Sequence, residues 1–253
     1  MTMLSLLVLT AGAASAQSSL TLKLGGSFPM GDFADATVDY DEGIERWGLW
    51  FEDHSKKGGA GLGFMLGAEW QNPIAAVQGL SVTVSLDAIY NGLNGDLNDY
   101  FNEVQDNAED ELDEYNITSP RYINVPLMLG LNYNYNLGGN LGLYAGAGLG
   151  ANLRVITPFA FHEEGREGSY RFEVDENVSY STAVSFAFRL GAGITINDKY
   201  SLGIEYYALG ASKVKWEMEE TEYYAGDTDR EHESGKSGNI APTMLLLRLG
   251  IKL

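Results

Sequence analysis

His54, His162 and His232 are the only imidazoles in the chain, and there is no cysteine. Acid–base catalysis near neutral pH would lean on these three side chains, because an unperturbed imidazole titrates in that range. Each falls in a different long segment between apolar runs, where no rigid element is expected to hold a catalytic geometry. His162-Glu163-Glu164 lacks the second histidine of a metalloprotease helix. Gly146-Ala147-Gly148-Leu149-Gly150 has the composition of a phosphate loop, yet it interrupts an alternating run with no helix after it, so no phosphate cradle is expected. The missing cysteines exclude a disulfide framework, a thiolate zinc site and a thiol nucleophile. The expectation is no catalytic residue, no metal ligand and no cofactor.

A second set of chemistry-bearing residues is more informative. Lys23, Glu69, Asp87, Arg189, Glu205, Arg248 and Lys252 all lie inside stretches of strict alternation. Period two dominates the chain from Leu20 onward, and eight such stretches stand out: 20–28, 59–70, 80–90, 122–133, 141–153, 181–194, 201–209 and 241–253. One parity is apolar, as in Leu80, Val82, Val84, Leu86, Ala88 and Tyr90. The other carries the seven charges among small residues such as Gly25, Gly67, Ser85, Gly146, Gly191 and Gly203. The seven are expected to form a network of buried ion pairs, because an isolated charge in a narrow lumen is costly. Glu205 and Asp87 are expected to pair with Arg189 and Arg248. The alternative use of such a lumen is an ion path.

The connections alternate in length. Those at 71–79, 134–140 and 195–200 are short and rich in Asn, Gly and Asp, as tight turns require. Those at 29–58, 91–121, 154–180 and 210–240 are long. Short turns at one end and long loops at the other describe an eight-stranded antiparallel up-and-down barrel crossing a membrane. A soluble lipocalin-like binding barrel would share the alternation, with its apolar face turned inward. A solvent-facing surface dense in glycine does not suit that case, whereas small residues suit a lumen with barely room for side chains. Phe28, Trp70, Tyr90, Tyr133 and Tyr206 lie near strand ends, where aromatic girdles sit. Pro126 falls inside the fourth stretch, where a bulge is expected to absorb its missing N–H.

Arg121-Tyr122-Ile123-Asn124-Val125-Pro126-Leu127-Met128-Leu129, Leu143-Tyr144-Ala145-Gly146-Ala147-Gly148-Leu149-Gly150, Leu190-Gly191-Ala192-Gly193, Leu202-Gly203-Ile204-Glu205-Tyr206-Tyr207 and Leu249-Gly250-Ile251 occur in this order. In them the chain resembles the small outer-membrane β-barrel domain proteins of the PorT-like kind, and more distantly the OmpA/OmpX-type eight-stranded barrels. The resemblance runs from about Leu20 to Leu253. It implies a bacterial outer-membrane location and contact with lipid and lipopolysaccharide. The last residue, Leu253, departs from the aromatic residue on which such barrels usually finish.

Residues 1–16 read as a signal peptide, an apolar run closed by Ala14-Ser15-Ala16, although no Lys or Arg precedes the run; 17–253 is then the mature barrel domain. Leu97, Tyr100, Phe101, Val104, Ala108, Leu112 and Tyr115 recur at helical spacing, predicting an acidic amphipathic helix over about 96–115 capped by Asn94 or Asp96. Tyr170-Arg171-Phe172-Glu173-Val174 and Val214-Lys215-Trp216-Glu217-Met218 alternate, so strands are expected to continue beyond the barrel as hairpins. Tyr100, Phe101 and Trp216 are the candidate interaction surface on these loops.

The formal charge of −19 excludes nucleic acid as a partner, since phosphate binding needs clustered Lys and Arg. The four long connections hold 31 acidic and 11 basic residues, while the rest of the chain is nearly neutral. The reading is a monomeric, non-enzymatic barrel acting through acidic external loops on a protein or surface ligand, in adhesion, surface interaction or envelope integrity. The alternatives are a small-solute or lipid-handling pore and a barrel-borne hydrolase or acyltransferase.

Overall fold

The computed structural model describes residues 18–36, 57–109, 112–236 and 238–253. The expected signal peptide, His54 and most of the first long connection lie outside the described residues. Eight strands close into a barrel: β1 (Ser19–Pro29), β2 (Ala60–Pro73), β3 (Leu80–Leu93), β5 (Tyr122–Gly138), β6 (Leu141–Ile156), β9 (Ala183–Ile196), β10 (Tyr200–Ala208) and β13 (Thr243–Lys252). Around the wall they run β1-β13-β10-β9-β6-β5-β3-β2, every pair antiparallel, and the seam joins the first strand to the last with Thr21 opposite Lys252. The eight-stranded all-β barrel expected from the alternation is the fold observed.

At the short-turn end the chain reverses through left-handed backbone, Gly138 and Gly139 between β5 and β6, and Asn197 and Asp198 between β9 and β10. The proline behaves differently from expectation. No bulge forms at Pro126: the β3–β5 register is the same on both sides of it, and only the pairing opposite Asp87 and Ala88 is missing. The sheet simply gives up the bond that the proline nitrogen cannot donate.

At the long-loop end a second sheet of five strands stands on the barrel: β4 (Glu114–Thr118), β7 (Phe159–Glu167), β8 (Tyr170–Tyr180), β11 (Lys215–Tyr224) and β12 (Asp227–Lys236), in the order β12-β11-β8-β7-β4. The hairpins expected around 170–174 and 214–218 are therefore two parts of one sheet. Helix α1 runs Gly95–Glu109, capped by the Asn94 Oδ1 that accepts from the Leu97 N–H at 3.0 Å. It ends short of the expected 115. Tyr115 belongs instead to β4, opposite Glu163, where pairing to β7 overrides the helical spacing.

The barrel wall is apolar outside and polar inside. Leu22, Leu66, Leu86 (54% exposed), Leu129, Phe186, Ile204 and Leu249 face outward from seven different strands. Phe28, Phe64 and Tyr90 lie on the outer surface toward the long-loop end, and Tyr133, Tyr135 and Tyr200 toward the short-turn end. The hydrophobic core runs from the upper lumen, where Met65, Ile89, Met128 and Leu246 are buried, to the long-loop mouth, where Phe33, Phe101, Tyr122, Phe159, Val178 and Trp216 are buried together. Among the described residues no helix is long and apolar enough to cross a membrane; crossing falls to the strands.

Candidate functional site

The lumen is organised in layers. In the middle, three cations meet three carboxylates, all nearly inaccessible. Lys23 Nζ lies 2.6 Å from Asp87 Oδ1, Arg189 Nη1 lies 2.7 Å from Glu69 Oε2, and Arg248 Nη1 lies 2.7 Å from Glu205 Oε1. Glu205 ties the pairs together, with Arg189 at 3.8 Å and Lys23 at 4.0 Å. Each charge is presented by the strand parity that points inward. Gly67 makes room for one of them, since a Cβ there would collide with the Asp87 carboxylate. Equal numbers of both signs in direct contact compensate the desolvation that single charges would suffer.

Two details differ from the expected network. Asp87 is held by Lys23 and by the Tyr207 hydroxyl, which donates to its Oδ2 at 2.7 Å, and not by an arginine. Lys252 is exposed at the short-turn rim and takes no part, because parity sets the face of a strand residue but not its height in the barrel. Tyr207 shares the parity of Glu205 and was legible as an inward residue on that ground alone.

Above the ion pairs lies a layer of amides and hydroxyls. Asn91 Nδ2 donates to Ser27 Oγ and to the Gly61 carbonyl, both at 3.0 Å, and Asn152 Nδ2 donates to Asn124 Oδ1 at 2.9 Å. Next comes Arg154, buried to 1% exposure, which donates to the Ile240 and Ser212 carbonyls at 3.1 Å and also to the Ser212 hydroxyl. It fixes the segments entering β11 and β13. Arg154 continues the inward parity of β6 one residue past the stretch read as a strand, so a longer reading would have found it. Within the ion-pair layer, between Glu69, Arg189, Glu205 and Arg248, the remaining void is about 10 Å³.

The second sheet collects the remaining chemistry. His162 and His232 lie on strands β7 and β12, not on irregular loops as expected. His162 Nδ1 is 2.8 Å from Asp175 Oδ1, and that hydrogen bond raises the imidazole pKa. Ligand atoms of Glu114, His162 and Glu164, and of His162, Glu173 and Asp175, lie close enough to share a cation. Arg171 already occupies part of this set, 2.7 Å from Glu164 and 3.3 Å from Glu173. On the opposite face, burial pushes Glu176 up to about 7, helped by neighbouring Glu220, and burial likewise raises Glu163 and Glu220. No histidine lies against a serine and a carboxylate in a hydrolase arrangement among the contacts of the described residues.

The aromatic interaction surface expected at Tyr100, Phe101 and Trp216 is not one. Phe101 is buried 6.1 Å from the Phe159 ring centre, Trp216 is buried beneath Gly235, and Tyr100 packs against the same cluster. A two-faced sheet needs an apolar filling, and these side chains supply it.

A closed barrel with an apolar outer belt and a charged, filled lumen defines a membrane barrel. Residues 1–234 match the family model of the outer membrane protein beta-barrel domain, and the chain belongs to that family. Among solved structures, it is similar to a major outer membrane protein from Thermus thermophilus, at 12% identity and a TM-score of 0.46, covering 94% of this chain and 100% of that one. It is also similar to the outer membrane protein AlkL in DMPC lipid bilayers, at 13% identity and a TM-score of 0.37, covering 96% of this chain and 93% of that one. No curated protein matches the sequence significantly.

Proposed function

We propose that the protein is a closed, non-enzymatic barrel of the bacterial outer membrane whose working part is the five-stranded sheet carried outside the cell. Residues 1–16 serve as its export signal. The observation that carries this reading is a lumen blocked from its middle to its long-loop mouth: three contacting ion pairs, an amide layer, the Arg154 bridge and an aromatic cap follow one another along the barrel axis. A lumen spent on packing leaves the outer sheet as the surface available for partners, in adhesion, surface interaction or envelope upkeep. Its β12 edge carries Asp227, Asp229, Arg230, Glu231 and Glu233, a charged edge of the kind that resists indiscriminate strand pairing. The acidity of the long connections would repel lipopolysaccharide phosphates unless divalent cations bridge the two.

Planar-bilayer recording of the pure protein tests the closed lumen. The expected trace stays at baseline, and a steady, ion-selective current would establish the pore reading instead. Cells in which Lys215–Lys236 is replaced by a short turn should keep the barrel in the outer membrane but lose surface attachment.

A further inference from the structure

At the long-loop end a cleft of about 520 Å³ lies between α1 and the edge strand β4, within the size range of small-ligand sites. The long connections around it are strongly acidic, yet among the described residues no carboxylate lines this cleft. The helix explains how. Asn98, Asn102 and Gln105 stand at i, i+4 and i+7 and share the face that lines the cleft, whereas Asp96, Asp99, Glu103 and Asp106 do not line it. The other polar lining comes from Thr118 and Ser119 at the end of β4, and from Arg121 and Thr157 beside the start of β5 and the end of β6. Buried Phe101 and half-buried Ile117 supply its apolar part.

These polar groups are accessible. Asn102 and Thr118 are exposed, and Asn98, Ser119, Arg121 and Thr157 are half-buried. Asn98 Nδ2 donates to the Leu93 carbonyl at 2.9 Å, which leaves Oδ1 to accept. Thr157 Oγ1 accepts the Arg121 N–H at 2.8 Å, which leaves the hydroxyl proton to donate. Arg121 Nη1 donates to the Pro120 carbonyl at 3.1 Å, and no carboxylate of the described residues pairs with this guanidinium. Arg166 and Arg171, on the sheet nearby, both meet carboxylates. Amides that donate and accept, hydroxyls, and one cationic fork without a carboxylate match a sugar ring that carries a single carboxylate. A guanidinium–carboxylate bond is about twice as strong as a neutral one, so the charge sets the preference. The acidity of the surroundings is screened over about 8 Å at physiological salt, and the contact groups then decide what binds.

We propose that this cleft binds a sugar acid, a pyranose bearing one carboxylate, as part of a glycan. The carboxylate accepts from the Arg121 guanidinium. The ring hydroxyls bond to Asn98 Oδ1, to the Asn102 amide and to the hydroxyls of Thr118 and Ser119. The proposal rests on the reading that the long-loop end is the working part, and it names a ligand class for that end. Its test uses micelles, where orientation in a membrane plays no role, so its failure would leave the surface reading intact; replacement of Lys215–Lys236 tests that reading separately.

Amide NMR of the full chain in micelles tests the assignment with three probes: glucuronate, glucose and acetate. Glucuronate should shift the amides of Asn98, Asn102, Thr118 and Ser119 saturably in the millimolar range. Glucose and acetate each carry half of the chemistry and should act more weakly. Arg121→Gln should weaken glucuronate binding about tenfold and leave the response to glucose unchanged, with preserved spectral dispersion showing that the fold is intact. Asn102→Ala, at an exposed helix position, should weaken both sugars. Arg171→Gln, which removes a charge from the sheet and touches no part of the cleft, should bind like the parent. Lipopolysaccharide in the micelles should reproduce the shifts if the sugar belongs to the same membrane, and a soluble galacturonate trisaccharide if it belongs to another surface. The proposal is overturned if glucuronate gives no saturable shift, if glucose or acetate acts as strongly, if Arg121→Gln binds like the parent, if Arg171→Gln weakens binding as much as Arg121→Gln, or if neither glycan reproduces the shifts.

Discussion

The barrel wall and the sheet above it are built from the same alternation with opposite outcomes. In the wall, Leu86 and Leu129 face out and Asp87 and Lys23 face in. In the outer sheet, Phe159, Val178, Trp216 and Met218 face in, while Arg171, Asp175 and Lys215 lie on the exposed face. The backbone rule is identical, and the surroundings decide which parity is buried. The wall needs glycine where its strands crowd the lumen, as at Gly67 and Gly203, because side chains from eight strands converge there. The outer sheet has one open face and needs large aromatics to fill the other.

The contrast breaks most sharply at the ion pairs. Glu205→Ala leaves Arg248 and Arg189 facing each other without their shared carboxylate, and should cost about 3–5 kcal/mol in urea unfolding of the micelle-bound protein. Arg171→Gln removes an equally short ion pair from the outer sheet, and its unfolding curve should overlay the parent's, because water replaces the lost partner. Equal losses in the two variants would mean that the lumen is as wet as the outer surface.

A charge placed on the exposed side of each region gives the next largest difference. Leu86→Arg puts a guanidinium on the outer wall near mid-strand and should cost about 2–4 kcal/mol when the protein is refolded in liposomes. Ser234→Arg, on an exposed position of β12, should stay within about 0.5 kcal/mol.

The smallest effect sharpens the comparison through pH. Glu176 has a folded-state pKa of about 7, above its ordinary value of 4.5, so the folded sheet holds its proton more tightly than the unfolded chain does. Its contribution is complete below the unfolded value and is lost as pH rises through 7. The raised pKa of His162 acts in the same direction, its pairing with Asp175 fading once the imidazole deprotonates. Protease resistance of β8 and β11 should therefore fall between pH 5 and 8. Glu176→Gln should remove part of that slope, worth about 1 kcal/mol at pH 8, leaving the part due to His162, Glu163 and Glu220.

Period two and connection length were enough to place all eight wall strands and the inward face of six of the seven charges, because a one-residue slip would turn every leucine into the lumen. What alternation could not convey was height. Lys252 has the right parity and the wrong level, and Asp87 finds Lys23 because the register sets both opposite Gly67, one on each side of β2. The outer sheet was legible only as fragments. Tyr115 continues the helical spacing of α1 as readily as the alternation of β4, and only the pairing to β7 separates the two readings. Phe101 and Trp216 looked like surface residues as long as their segments were read as loops; a second sheet gives them an interior.

The β1–β13 seam has a consequence for how the molecule is made. Thr21 and Lys252 are far apart in sequence and at the same point on the wall. Neighbouring hairpins such as β5–β6 can form as soon as their own residues are available, but the two edge strands keep unpaired N–H and C=O groups until the last strand arrives. In hydrocarbon those groups are costly to leave open. The chain must therefore stay unfolded, or be held with both edges covered, until β13 is in place, and a loss confined to Thr243–Lys252 would deprive the whole wall of its closure.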